Sequence, residues 1–142
     1  MDQRHAEMVV KEIGLEEAKP VSTPGEEEKP WEAEENKMEL EAGQATRYRR
    51  VAARLNYMAM DRVDLMYSTK EICRNIANPT VGAWKMLKRA ARYLIEKARA
   101  VVRYDWQGRE GEVQTYSDSD WAVMIGLHWI IGWARTQKSV TL

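Results

Sequence analysis

The sequence predicts an α+β fold, with about four helices over residues 1–100 and an antiparallel β segment over residues 101–142. Three observations carry that prediction. Between Tyr48 and Ala98 apolar residues return every three or four positions, the period of helices with one buried face. Beyond Arg99 the apolar residues gather into β-branched and aromatic runs broken by glycines, the pattern of short strands. Residues 19–43 are rich in glutamate and interrupted by prolines, and they separate a short first helix from the rest.

In chain order, the first helix places Ala6, Val9, Val10 and Ile13 on one side, with Arg4, Lys11 and Glu12 elsewhere, and Gly14 closes it. Residues 19–43 have little apolar surface and strong self-repulsion, so they read as an acidic linker or mobile loop. From Gln44 the next helix buries Tyr48, Val51, Ala52, Leu55, Met58 and Ala59. Asp61 is the expected N-cap of a helix carrying Val63, Met66, Ile72, Cys73 and Ile76 until Asn78-Pro79 stops it. Thr80 caps the last helix, whose Trp84, Leu87, Ala91, Leu94 and Ala98 fall within an arc of about 80° at helical pitch. Lys85, Lys88, Arg89 and Arg92 occupy a neighbouring arc. Val101 to Trp106 and Val113 to Tyr116 then read as the two arms of a hairpin around a glycine-bearing loop, with more strand expected between Trp121 and Thr136.

The totals bound what such a chain can do. A length of 142 residues fits one domain or two partial ones and is too short for a polymerase. The net charge of zero is a cancellation: residues 1–43 hold 5 Lys/Arg against 13 Asp/Glu, and residues 44–142 hold 17 against 9. Any phosphate contact therefore belongs to the second part. Cys73 is the single cysteine, so there is no internal disulfide, and no Cys/His cluster has zinc-site spacing. Charged residues interrupt the N-terminal region where a signal sequence would be apolar. The most apolar stretch, Trp121 to Ala134, is 14 residues long, against the about 20 a helix needs to span a bilayer. An intracellular location, cytoplasmic or nuclear, with no membrane role is expected.

Asp118 and Asp120 lie two apart on a predicted strand, so their side chains share a face, opposite Ser117, Ser119 and Trp121. Paired carboxylates at a strand can hold Mg²⁺ for phosphodiester hydrolysis, but two acids alone do not define a two-ion site, and spacing alone favours a solvated edge. The surrounding residues add more. Tyr116-Ser117-Asp118-Ser119-Asp120-Trp121-Ala122 resembles the opening of the RNase H domain of copia-type retrotransposon Pol polyproteins. Lys19-Pro20-Val21-Ser22-Thr23-Pro24 resembles the close of their reverse transcriptase, and Tyr48-Arg49 with Leu55-Asn56-Tyr57-Met58-Ala59 the helix that follows. Arg62-Val63-Asp64-Leu65 is similar to their Arg-Pro-Asp-Ile motif; Asn78-Pro79-Thr80 with Trp84, and Lys88-Arg89 with Arg92-Tyr93-Leu94, complete a collinear series over nearly the whole chain.

The resemblance implies four regions: residues 1–18 as the end of a reverse-transcriptase-like region, 19–43 as the acidic linker, 44–100 as a helical connection region, and 101–142 as a truncated, incomplete RNase H-like β segment. It makes Asp118 a catalytic and metal-binding aspartate, with Mg²⁺ the cofactor of the intact family, and leaves Asp120 a motif residue without an assigned role. The departures matter as much. The Gly-rich turn that follows Asp-Trp-Ala in the family is missing after Ala122, where Val123-Met124-Ile125 comes at once. Gly132 to Gln137 resembles the next strand, and the later acids of the site do not appear. Asp118 is thus expected to be vestigial, in an incomplete site, with no RNase H activity and no cofactor for this chain. The polymerase motif Tyr-x-Asp-Asp is also absent.

What remains is the basic arc. Lys85, Lys88, Arg89 and Arg92 suit weak, nonspecific contact with the phosphates of an RNA–DNA hybrid or duplex, alongside the remainder of a parent polyprotein as partner. A solvated helix face explains the same residues equally well. The expected function is that of a fragment or degenerate copy of such a polyprotein; the rival is a helical protein-interaction module. His5 and His128 are isolated in sequence, Cys73 lies on an apolar face, and Trp84, Trp121, Trp129 and Trp133 read as core residues before they read as base-stacking ones.

Overall fold

A computed structural model describes residues 3–26, 32–101, 103–106, 113–117, 120–125 and 128–134. Among them run α1 (Gln3–Ile13), α2 (Ala33–Asn36), α3 (Ala42–Ala59), α4 (Val63–Arg74), α5 (Val81–Glu96), β1 (Val113–Ser117), β2 (Asp120–Ile125) and β3 (His128–Ala134). The chain divides into two compact units, Met1–Ala100 and Val101–Leu142.

In the first unit the expected apolar faces meet in one core. Ala6, Val9, Val10 and Ile13 of α1 pack into the same cluster as Tyr48, Val51 and Leu55 of α3, Leu65 and Ile72 of α4, and Leu87 and Leu94 of α5. Residues 1–18, which the sequence sets apart, thus supply α1 to the bundle formed by residues 42–96. Each fully buried Leu- or Ile-sized side chain contributes about 1.5–3 kcal/mol of transfer free energy, so α1 is part of what holds the unit together. Gly14 ends α1 in the left-handed region (φ 73°), as a C-terminal glycine can without a Cβ penalty.

One helix boundary differs from expectation. Asp61 is not the cap of α4; its N–H still donates to the Met58 carbonyl (3.1 Å) in the closing turn of α3, and Arg62 takes the N-cap position without a side-chain cap bond. The buried stripe of α4 is Leu65, Ser68, Thr69 and Ile72, while Val63 and Ile76 are exposed and Met66 and Cys73 are half-buried. An apolar count passes over Ser68 and Thr69. Ser68 is nevertheless easily buried, because its hydroxyl donates to the Leu65 carbonyl within the helix (3.1 Å). The cap of α5 is as expected: the Ala83 N–H donates to Thr80 Oγ1 (3.3 Å), and Trp84, Leu87, Ala91 and Leu94 are buried.

Residues 19–26 and 32–41 are more ordered than their composition suggests. Glu39 bridges Thr80, the Leu40 N–H donates to the Pro79 carbonyl (3.0 Å), and the Val81 N–H donates to the Met38 carbonyl (2.8 Å). Asn36 of α2 lies directly over Gly82, where a Cβ would come within 2.8 Å of the Asn36 Cβ. Composition registers the repulsion among the acids but not the cations waiting across from them.

The second unit is a three-stranded antiparallel sheet in the order β1-β2-β3. Ser117 pairs with Trp121 and Val113 with Ile125; Trp121 pairs in turn with Trp133, and the β2–β3 register shifts between Val123 and Met124. The expected hairpin is displaced by one strand. Val101 and Arg103–Trp106 form no strand, their side chains are exposed, and β1 pairs with β2 instead; Val102 lies outside the described residues. Of the strand expected to carry both aspartates, Asp118 lies outside the described residues; β1 ends at Ser117, β2 starts at Asp120, and Ser117 pairs with Trp121.

Candidate nucleic-acid interface

The amphipathic α5 brings together the four cations read from the sequence, but carbonyls and carboxylates of residues 19–35 already meet three of them. Lys85 Nζ is 3.2 Å from Glu32 Oε2 and 3.3 Å from Glu35 Oε2. Arg89 pairs through Nη1 with Glu26 (2.5 Å) and donates from Nε to the Gly25 carbonyl (3.2 Å) and from Nη2 to Thr23 Oγ1 (3.0 Å). Arg92 Nε donates to the Lys19 carbonyl (2.7 Å). Neither Arg92 nor Lys88 has a carboxylate partner among the described residues; the Lys88 Nζ sits 6.0 Å from the centre of the Trp84 ring, a cation–π contact.

Hydrogen bonds from Lys85 to Glu32, then to Glu35, favour its charged form against the opposing effect of desolvation and raise it above the ordinary lysine range. The same donors would serve phosphate oxygens, since a guanidinium fork and an ammonium recognise either anion. Between these groups lies a cleft of 1510 Å³ whose lining includes Lys19, Gly25, Glu32, Lys85, Lys88 and Arg89.

A second polar cluster was not expected. Arg62 is buried at the start of α4, with Nε and Nη2 donating to the two carboxylate oxygens of Asp64 (2.8 and 2.6 Å). It also donates from Nη2 to the Lys97 carbonyl (2.9 Å) and from Nη1 to the Ala98 carbonyl (3.3 Å). Tyr93 Oη donates to Asp64 Oδ2 (2.8 Å). The guanidinium therefore ties the start of α4 to the carbonyls just beyond α5, where helix termini lack partners and a positive charge is favoured. Burial alone would raise the Asp64 carboxyl, but the hydrogen bonds from Arg62 and Tyr93 and the charge of Arg62 outweigh it and hold the group below its usual range.

Tyr48 and Arg49 act similarly. Tyr48 Oη donates to the Ile72 carbonyl (2.6 Å), and Arg49 donates to the carbonyls of Ile76 (3.0 Å) and Ala77 (2.8 Å). Burial, foremost, pushes the Tyr48 hydroxyl well above the ordinary tyrosine range. The sequence signal for both clusters was their presence in the motifs of the resemblance, where polar residues recur inside otherwise apolar helices.

The other candidates are placed as follows. Asp118 lies outside the described residues, and Asp120 opens β2 opposite Ala134. Among the described residues no three His, Cys, Asp or Glu side chains gather where they could hold a metal ion, so those residues do not fit a two-ion Mg²⁺ site. His5 meets the Tyr57 ring at 5.3 Å with a tilt of 54°, and its Nδ1 is buried without a hydrogen-bond partner. The Cys73 thiol, raised by burial, approaches the Ala52 carbonyl (3.9 Å). Trp84 is buried. No helix among the described residues is long and apolar enough to cross a membrane.

Three curated proteins of Arabidopsis thaliana resemble the chain. It is 31% identical to the retrovirus-related Pol polyprotein from transposon RE2 over 140 residues, 87% of this chain and 9% of that one. The corresponding polyprotein from transposon RE1 is 29% identical over the same shares. The uncharacterized mitochondrial protein AtMg00810 is 26% identical over 138 residues, 97% of this chain. The chain thus spans about half (52%) of the mitochondrial relative and under a tenth of either polyprotein. No protein-family model matches the chain, and neither does any solved structure.

Proposed function

The chain is a relative of retrotransposon Pol polyproteins, and on that premise we propose that it is a fragment or degenerate copy of the copia-type kind, from the connection between reverse transcriptase and RNase H. In this reading it has neither polymerase nor nuclease activity of its own, and it contacts RNA–DNA hybrid or duplex weakly and without sequence preference through Lys85, Lys88, Arg89 and Arg92. The observation that carries the reading is the row of cations on one face of α5 within a segment related to these polyproteins over 87% of its length. Four cations on one helical face can neutralise backbone phosphates without reading bases.

The test is anisotropy of a labelled RNA–DNA hybrid with the full chain. Binding is expected at low salt, weakening steeply as salt rises, and Arg89→Ala with Arg92→Ala should reduce both affinity and slope. No binding at low salt overturns the reading. Incubation with Mg²⁺ should leave the RNA strand intact; cleavage that disappears in Asp118→Asn would sink the claim of inactivity. The rival, a helical module that binds a protein partner, is favoured by exposed Tyr57, Met60, Val63 and Tyr67 along the α3–α4 junction. A partner captured by the chain and unmoved by excess unlabelled hybrid would favour that rival.

A further inference from the structure

We propose that the acidic stretches 19–26 and 32–41 are an intramolecular mimic of nucleic acid, a latch that occupies the cationic face of α5 and must be displaced before phosphates reach it. The inference rests on the reading of α5 as a phosphate-binding face and adds its regulation. Three features support it. The acceptors of the segment occupy donors that phosphate oxygens would otherwise take: two carboxylates converge on the Lys85 ammonium, while Glu26, the Gly25 carbonyl and Thr23 meet the Arg89 guanidinium. The charge is matched, since residues 19–43 hold 8 acids against 3 basic residues. Backbone bonds at Leu40 and Val81, and the seat of Asn36 on Gly82, keep the acids close to the face they cover.

Magnitudes make the latch releasable. Its ion pairs are partly solvent-exposed, and pairs of that kind are individually weak and screened by salt. A duplex presents many phosphates at once and gains from releasing its condensed counterions. Glutamates on a surface segment have no comparable gain, so a polyanion can displace them while a single anion cannot.

The test compares hybrid binding by the full chain and by the triple variant Glu26→Gln, Glu32→Gln, Glu35→Gln across a salt series. The control is Glu7→Gln, Glu16→Gln, Glu17→Gln, which changes net charge equally at carboxylates that make no ion pair with α5 among the described residues. Unlatching should tighten binding about tenfold at low salt and steepen its salt dependence, because cations no longer neutralised internally now release counterions from the hybrid. The control should change far less. Glu26→Gln alone, which leaves the acids around α2 in place, should move affinity in the same direction by less, and it answers the question should the triple variant fold poorly. Equal gains in control and triple variant, or no gain in either, overturn the latch and leave the phosphate-binding reading standing. If the full chain does not bind at low salt, that reading falls and the latch falls with it.

Discussion

In the helical unit Val9, Tyr48, Leu55, Ile72 and Leu87 are wholly withdrawn from water, whereas in the β unit Val113, Ile125 and Ile130 remain exposed and Gly132 is the residue described as buried. A bundle of helices covers each apolar stripe with another, whereas the described residues of the β unit form one layer of three strands. The contrast separates ancestry from stability. Tyr116 to Ala122, the stretch that most plainly suggests a nuclease, lies in the β unit. The resemblance-bearing residues of the helical unit, Tyr48, Arg49, Arg62, Asp64 and Tyr93, tie helices together by hydrogen bonds.

The strongest way to break this comparison is to place the same charge in both units. Val9→Asp puts an unpartnered carboxylate in the core, where α1 meets α3 and α5, and should cost about 4 kcal/mol or more. Val113→Asp, at a position 60% exposed, should stay within about 0.5 kcal/mol. Urea melts followed by helical circular dichroism would measure both; similar losses would mean that the helical unit does not stand on its own core.

Next in size is the Arg62 clamp. Arg62→Ala leaves Asp64 without its guanidinium and the Lys97 and Ala98 carbonyls without a donor, at a cost of about 3 kcal/mol by the usual loss for one partner of a buried pair. The clamp also predicts a pH dependence. Because folding lowers the Asp64 carboxyl below its ordinary range, its contribution is complete above that range and is lost as pH falls through the lower folded value. Asp64→Asn should reduce overall stability and flatten this acid limb. An unchanged limb in Asp64→Asn would assign the acid sensitivity to other carboxylates.

How much of this was legible depends on the kind of signal. The stripes of α1, α3 and α5 were readable because large apolar residues recur at helical spacing, and Thr80 was readable because a hydroxyl before a helix has one common use. The stripe of α4 was missed because Ser68 and Thr69 are buried without being apolar. The strand expected at Val101 to Trp106 does not form among its described residues, because β propensity measures fit to a pleated surface and says nothing about which neighbour supplies it. The ordering of residues 19–26 and 32–41 was hidden for a related reason: their partners, Lys85, Arg89 and Arg92, are distant in sequence, and composition within a segment carries no information about charge across from it. Of the candidate site, the cations on α5 were found, but not that glutamates of the same chain already meet two of them.

A smaller effect probes one hydrogen bond between helices. Tyr48→Phe keeps the ring in the core and removes its bond to the Ile72 carbonyl, so stability should fall by about 1 kcal/mol. A double variant with Arg49→Ala would show whether the two adjacent residues act together at the end of α4. Additive losses within about 0.5 kcal/mol would make them independent clasps.

The smallest net change should come from Gly82→Ala, and there the sign is the informative part. In the first turn of α5 alanine is the better helix former, by at most about 1 kcal/mol over glycine in a helix interior and less so near a terminus. Against this, the new methyl would meet Asn36 Cβ at 2.8 Å and its backbone carbonyl at 3.2 Å. These are not the far end of a flexible side chain, so α2 itself must give way. The two effects act on different parts of the unit: the gain belongs to α5 and the loss to the acidic segment resting on it. Global stability should therefore change by less than about 1 kcal/mol, while hydrogen exchange at the Leu40 and Val81 amides, which hold that segment, should quicken. Unchanged exchange would mean that α2 yields at Asn36 without loosening the bonds at Leu40 and Val81, and the acidic segment would then belong with the rigid core, not with its displaceable surface.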